Sequence, residues 1–189
     1  MTDAVTEERA RHPAAAVELW AFDEHRAGLK PVLRRAWAKR GRRPVAVAEP
    51  RYEWLYLYGF VRPTTGAVEW FLCNAVNTAL FAAVLARFAA AVGAGPDKRV
   101  ILVLDGAGWH ATERLTVPAG LRLMFLPPYS PELQPAERLW PLTNEALANR
   151  HFAGLADLDA ALAARCLALC DQPETVTAHT RFHWWPEAA

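Results

Sequence analysis

The chain has 189 residues, 53% of them hydrophobic and 22% charged, with a formal net charge of +1. That length suits one domain with a sizeable core, and that composition excludes a disordered chain. The near-zero sum hides a segregation of charge. Between residues 30 and 51, Lys30, Arg34, Arg35, Lys39, Arg40, Arg42, Arg43 and Arg51 stand against Glu49 alone, whereas the first 24 residues carry six acids against Arg9 and Arg11.

Apolar stretches are broken by charge or proline well short of the ~18 residues a membrane span needs, so no membrane partner is expected. Cys73, Cys166 and Cys170 form no Cys-x-x-Cys pair. Their expected role is in the core, and a reducing, cytoplasmic compartment is the natural one.

Residues 1–16 read as a short polar and alanine-rich lead. Val17 to Phe22 reads as a first strand ended by Asp23, followed by an irregular basic segment interrupted by Pro31, Gly41 and Pro44. The aromatic run Trp54 to Val61 suits a pleated surface and predicts a second strand. After the turn Arg62-Pro63-Thr64-Thr65-Gly66, a third strand over Val68 to Val76 completes a hairpin. Leu80, Val84, Leu85 and Phe88 recur at helical spacing, which predicts a helix over Thr78 to Ala91 closed by Gly93. Val100 to Asp105 and Leu121 to Leu126 read as the fourth and fifth strands, with a short, proline-ended helical segment between them. Pro135 suits the first turn of the next helix, where its missing N–H costs nothing. A last helix is expected from about Leu155 to Leu169. This order predicts an α/β fold with a mixed five-stranded sheet flanked by helices, occupying residues 17–189 as one domain.

Three acids then stand out. Asp23 and Asp105 end strands, and Glu137 falls in the first turn of the helix expected from Pro135, with 31 residues between Asp105 and Glu137. Chemistry at a phosphodiester needs an activated oxygen nucleophile and relief of charge on the leaving oxygen. Two metal ions roughly 3.5–4 Å apart supply both. Hard cations require hard oxygen ligands, which means Asp and Glu. A strand-end Asp is by itself more often a turn or cap residue; the three together, with the residues around them, are more specific.

Those surroundings carry a resemblance. Leu102-Val103-Leu104-Asp105-Gly106-Ala107-Gly108-Trp109-His110 and the long block from Leu126-Pro127-Pro128-Tyr129-Ser130-Pro131 through Gln134-Pro135-Ala136-Glu137-Arg138-Leu139-Trp140 resemble the two signature blocks of mariner-type DDE transposases, in their bacterial insertion-sequence branch. Phe22-Asp23-Glu24 resembles the first acidic block, and Trp37 to Gly41 the Trp-and-Gly stretch that follows it. The resemblance implies an RNase H-like fold and DNA strand cleavage and joining that depends on Mg²⁺, two ions with Mn²⁺ as a substitute. It implies that Asp23, Asp105 and Glu137 are the catalytic metal ligands. Transposon-end and target DNA, and a second copy of the chain when active, are the implied partners, in the bacterial cytoplasm at the nucleoid. The residues ahead of the first strand are too few for a helix-turn-helix, so end recognition is expected from a separate polypeptide or a frameshift fusion.

This chain departs from the family pattern at three points. Gln134 stands where Asn is usual, the spacing before Glu137 is slightly short, and Pro141 follows Glu137 by four residues. Inside a helix Pro141 would remove the N–H that bonds the Glu137 carbonyl, at roughly 3 kcal/mol. A kinked or divided helix is therefore expected. Two further readings stay open: a remnant that keeps the fold and DNA binding without catalysis, and a stand-alone RNase H-like nuclease.

Accessory residues follow from placement. His110 is a candidate for contact with the phosphate or the metals, or else a loop histidine bonded to backbone, and Gln134 offers an amide. Arg34, Arg35, Lys39, Arg40, Arg42 and Arg43, with Trp37 among them, suit salt-dependent contact with DNA phosphates, the plain alternative being a solvated loop. Ser130 lies in Tyr-Ser-Pro, not in the Gly-x-Ser-x-Gly turn of a serine hydrolase. Gly106-Ala107-Gly108 lacks the third glycine of a dinucleotide loop. His179 and His183 lack further ligands, and Trp184 and Trp185 read as a hydrophobic plug.

Overall fold

The computed structural model describes residues 1–42, 45, 51–108, 110 and 114–186. A sheet of five strands is built in the order β3-β2-β1-β4-β5. Its strands are β1 (Ala16–Gly28), β2 (Trp54–Arg62), β3 (Ala67–Cys73), β4 (Lys98–Leu104) and β5 (Leu121–Phe125). The β1–β2 and β2–β3 pairs are antiparallel, whereas β1–β4 and β4–β5 are parallel. The mixed sheet expected from the element order is therefore present.

Side chains alternate across the sheet, so each strand feeds two cores. Trp20, Phe22, Tyr58, Phe60, Leu102 and Leu104 pack with Phe81, Val84, Leu85 and Phe88 of α2 (Thr78–Val92). On the other face Leu19, Ala21, Leu57, Val61, Ile101 and Val103 meet α3 (Leu139–Asn144), α4 (Leu155–Cys170) and α5 (Pro173–Thr180). Asn77 caps α2 by accepting from the Leu80 N–H, and Gly93 ends it in the left-handed conformation. Trp185 is buried in the second core with Trp184 packed against it, which agrees with the plug reading. Cys166 is buried and Cys170 exposed, both free.

Three local features differ from expectation. The N-terminal lead contains a helix, α1 (Thr2–Arg11). It docks through Val5 and through Glu8, whose carboxylate takes hydrogen bonds from Arg99 at 2.9 Å and Arg122 at 3.2 Å. Strand β1 does not stop at Asp23 but runs to Gly28, because β2 pairs with it along that whole extension, Asp23 facing Gly59. Helix α5 follows α4, its Pro173 in the first turn. The hairpin turn touches it: Gly66 has φ +72°, and a Cβ there would lie 1.9 Å from the Pro173 carbonyl oxygen. The segment around Pro141 is divided, as the proline predicts: Glu137 sits in a 3-10 turn, Pro135–Arg138, and α3 begins at Leu139. The described residues between β4 and β5 are turns and irregular chain without a helix, and residues 109 and 111–113 of the short helical segment expected there lie outside the described residues.

No helix among the described residues is long and apolar enough to cross a membrane.

Candidate active site

Parallel pairing brings the first two acids to the same end of the sheet. The last pair in the β1–β4 register is Ala21 with Val103. Two residues further along each chain stand Asp23, still within β1, and Asp105, just past the end of β4. Asp23 falls on the face shared by Leu19 and Ala21, towards α3. Glu137 is brought to the same place by the turn after β5. Asp23, Asp105 and Glu137 line one cleft of about 440 Å³, together with Gly106, Ala107, Leu126 to Pro131 and Gln134.

Gln134 explains how that turn is seated. It is 3% exposed, and its Nε2 donates to the Phe22 carbonyl at 2.9 Å, one residue before Asp23. Its Oε1 accepts from the Ala136 N–H at 3.3 Å, so it also caps the turn that carries Glu137. A single buried amide thus joins the Glu137 turn to the Asp23 strand.

Each carboxylate has its own electrostatic setting. Burial pushes Asp23 up to about 7, against the hydrogen bond it accepts from Trp140, and the charges of Glu24 and Glu137 add to the rise. That bond joins Trp140 Nε1 to Asp23 Oδ2 at 2.9 Å. The indole is stacked on His25 at 5.1 Å between ring centres, and His25 is bonded in turn to Asn144 at 3.1 Å. Gly59 makes room for the indole: a Cβ there would lie 2.9 Å from Trp140 Cη2. Glu137 is raised by burial, opposed by Arg138 and reinforced by the charge of Asp105.

Asp105 behaves differently. The hydrogen bond from His110 holds it below the usual carboxylate range, with the Ala107 N–H adding to the effect. His110 Nδ1 lies 2.8 Å from Asp105 Oδ1, and its Nε2 lies 3.4 Å from Glu24 Oε2. The ring is buried against Phe22 and Phe81. Burial works against its charge, yet the two carboxylates outweigh it and raise the imidazole to about 9. The imidazolium then donates from Nδ1 to Asp105 and faces Glu24 through Nε2 as an ion pair. His110 therefore meets the site through Asp105 and is not simply a backbone-bonded loop residue.

The basic segment leaves β1 on the α3 side. Arg34 is tied to the protein itself: its N–H and carbonyl bond Asn149, and its guanidinium donates to the Pro141 carbonyl at 3.1 Å. Arg35, Lys39, Arg40 and Arg42 are exposed, as is Trp37. None of these residues lines the carboxylate cleft. Arg43 lies outside the described residues.

Residues 18–159 match the family model described as DDE superfamily endonuclease. The chain belongs to the DDE superfamily endonuclease family. Its relatives include the uncharacterized protein y4pE/y4sA of Sinorhizobium fredii, 37% identical over 121 residues that span 64% of this chain and 88% of that one. The insertion element IS630 uncharacterized 39 kDa protein of Shigella sonnei is 28% identical over 152 residues, 78% of this chain and 42% of that one. Among solved structures, the Mos1 strand transfer complex aligns with a TM-score of 0.56 at 16% identity, covering 97% of this chain and 60% of the Mos1 chain. The Mos1 mariner paired end complex with Mn gives 0.55 at 17%, over 95% of this chain and 61% of that one. The corresponding complex with Mg gives 0.51 at 19%, over 87% and 56%. These likenesses show the RNase H-like fold. This DDE superfamily transposase/endonuclease domain spans less than two thirds of the Mos1 chains and under half of the Shigella protein.

Trp140, Gly59 and Glu24 were not among the residues singled out in the sequence. A signal existed for the first two. A glycine inside an aromatic strand marks a close approach by another group, and Trp140 stands one helical turn after Glu137.

Proposed function

We propose that this domain cuts DNA at a phosphodiester and joins the resulting 3′-hydroxyl to a target strand, as an insertion-sequence transposase does. One observation carries the reading: an acid in β1 and an acid just past the end of its parallel neighbour β4 share a cleft with a third acid on a separate turn. Family membership supports it, since the domain falls among transposases and endonucleases.

Asp23, Asp105 and Glu137 are the proposed ligands of divalent ions, Mg²⁺ or Mn²⁺. The donor set fits in kind, because all three offer carboxylate oxygens. The charges fit as well: Glu137 raises Asp23, and Asp105 raises Glu137, so a cation in the cleft would relieve both repulsions. Among the described residues no group of three His, Cys, Asp or Glu side chains is already arranged to hold an ion. Bound ions would supply charge neutralisation at the phosphate and a lowered pKa for the attacking water or hydroxyl. The chain's own part is to hold the acids. Trp140 fixes one oxygen of Asp23, His110 fixes one of Asp105, and Gln134 seats the Glu137 turn. Arg35, Lys39, Arg40, Arg42 and Arg43, with Arg34 at their base, are proposed to run along the DNA backbone, and the reaction on paired ends calls for a second copy of the chain.

The test is cleavage of DNA carrying the element's candidate ends in Mg²⁺ or Mn²⁺, with the end-recognising polypeptide supplied and Asp105→Asn and Glu137→Gln as controls. Wild-type protein should cut and both variants should lose at least a hundredfold in rate, in keeping with losses of about 2.7–4 kcal/mol when a charge-stabilising group is removed. Wild-type cutting no faster than the variants would sink the proposal.

A further inference from the structure

The segment between β5 and the Glu137 turn contains a residue whose setting neither folding nor the carboxylates explain. Pro127, Pro128 and Pro131 restrict the backbone around Tyr129 and Ser130. Tyr129 itself has φ +58°, in the left-handed region, and its side chain is 100% exposed. Among the described residues the only other non-glycine with positive φ is Asn149, of a type that adopts it readily. A bulky aromatic there is strained, and glycine or asparagine would make the same turn more easily. Yet the tyrosine lines the same cleft as Asp23, Asp105 and Glu137.

An aromatic held open to solvent in a strained loop gains nothing from burial. Strain of this kind persists where the surrounding chain enforces it, and it clusters at working sites. A planar face beside a cleft built for phosphodiesters suits one ligand chemistry above others, the π-face of a nucleobase, which stacks whatever its sequence. We infer that the Tyr129 ring is a stacking platform for the base next to the phosphate held in the carboxylate cleft, making it a substrate-positioning residue. This inference rests on the DNA-cleaving reading above.

Three substitutions separate the ring from the backbone. Tyr129→Phe keeps the face and loses only the hydroxyl. Tyr129→Asn and Tyr129→Gly accept the left-handed conformation and remove the face. Because the side chain is fully exposed, none of them opens a cavity. The full chain is titrated, in Ca²⁺ so that binding is read without turnover, against candidate-end duplexes carrying 2-aminopurine at successive positions across the cleavage site. Wild type and Tyr129→Phe should change the fluorescence at one or two adjacent positions. Tyr129→Asn and Tyr129→Gly should lose that signal and bind about tenfold more weakly, as expected for one lost stack. Fluorescence and affinity unchanged in Tyr129→Asn overturn the inference. So does a wild type that cleaves in Mg²⁺ with no fluorescence change at any position. A wild type that does not cleave, yet gives the Tyr129-dependent signal, defeats the catalytic reading and leaves the platform standing.

Discussion

The indole Nε1 of Trp140 donates to Oδ2 of Asp23 at 2.9 Å, so a side chain from the start of α3 holds an acid in the middle of β1. Burial raises Asp23 to about 7 despite that bond. A carboxyl whose folded pKa lies above its unfolded value binds more protons when folded, so its contribution to stability falls as pH rises between the two values. In metal-free protein that window runs from about 4 to about 7. Asp23→Asn should therefore be more stable than wild type at pH 8 in EDTA, with the difference vanishing near pH 4. Urea unfolding at the two pH values measures it; equal stability at pH 8 removes the claim that Asp23 is strained. Added Mg²⁺ should raise the stability of wild type and not that of the variant.

Gly59 carries the same relationship one strand over. A Cβ at residue 59 would lie 2.9 Å from Trp140 Cη2, 3.0 Å from Trp70 Cζ3 and 3.2 Å from Leu139 Cδ1. Overpacking of this sort costs about 1–3 kcal/mol. Gly59→Ala should destabilise by that amount and displace the indole from Asp23. In Trp140→Phe, where the six-membered ring leaves more room and the donor is already gone, the penalty should shrink by at least half. A double-mutant cycle on unfolding free energies reads the coupling, and simple additivity counts against the contact.

Gln134 makes a sharper case, because both ends of one buried amide are used. Gln134→Leu strips the Phe22 carbonyl and the Ala136 N–H of their partners, at about 2–3 kcal/mol for the two groups together. Gln134→Asn is shorter by one methylene and should keep the cap while losing the clasp to Phe22. Cleavage should fall in both, with a larger Mg²⁺ requirement in each, since Glu137 is then less well held against Asp23. Metal titrations of the cleavage rate check this; an unchanged Mg²⁺ half-saturation in Gln134→Leu refutes the positioning role.

These relationships mark how far the sequence could be read. The sheet, helix α2 and the carboxylates were legible because period-two and period-3.6 patterns are local, and because Pro135 announces its turn. Strand ends were not. Asp23 reads as a terminator, but β1 continues since β2 offers eight paired positions from Ala21 to Gly28. Helix α1 escaped notice because only Val5 and Glu8 are buried along it, and Glu8 is held by Arg99 and Arg122, more than 90 residues away in sequence. Trp140, Gly59 and the His110–Glu24 pair depend on the same kind of distant contact, and only the fold reveals which side chains meet.

Glu8 gives α1 a pH signature. Burial works to raise its carboxyl, but the hydrogen bonds and charges of Arg99 and Arg122 prevail and lower it. A lowered folded pKa contributes stability above the unfolded value, near 4.5, which is lost as pH falls through the folded one. Glu8→Gln should cost about 2 kcal/mol at pH 7, less than a fully buried pair because both arginines are partly exposed. The gap between variant and wild type should narrow as pH falls below the unfolded value. Unfolding midpoints that differ equally at pH 3 and pH 7 rule the ion pairs out as the cause.

The basic segment is the last place where two roles can be separated by measurement. Arg34 bonds Asn149 and Pro141, so its loss is expected to loosen the junction between the segment and α3. Lys39, Arg40 and Arg42 are exposed and have no such tie in the described contacts. If they meet DNA phosphates, replacing all three by Ala weakens binding to any sequence and flattens the dependence of log K on log salt by about 0.9 per lost contact. Arg34→Ala should instead lower the melting temperature with a smaller change in that slope. Affinities measured between 50 and 200 mM salt, beside melting curves, decide the matter. A triple variant with an unaltered slope returns Lys39, Arg40 and Arg42 to an ordinary solvated surface.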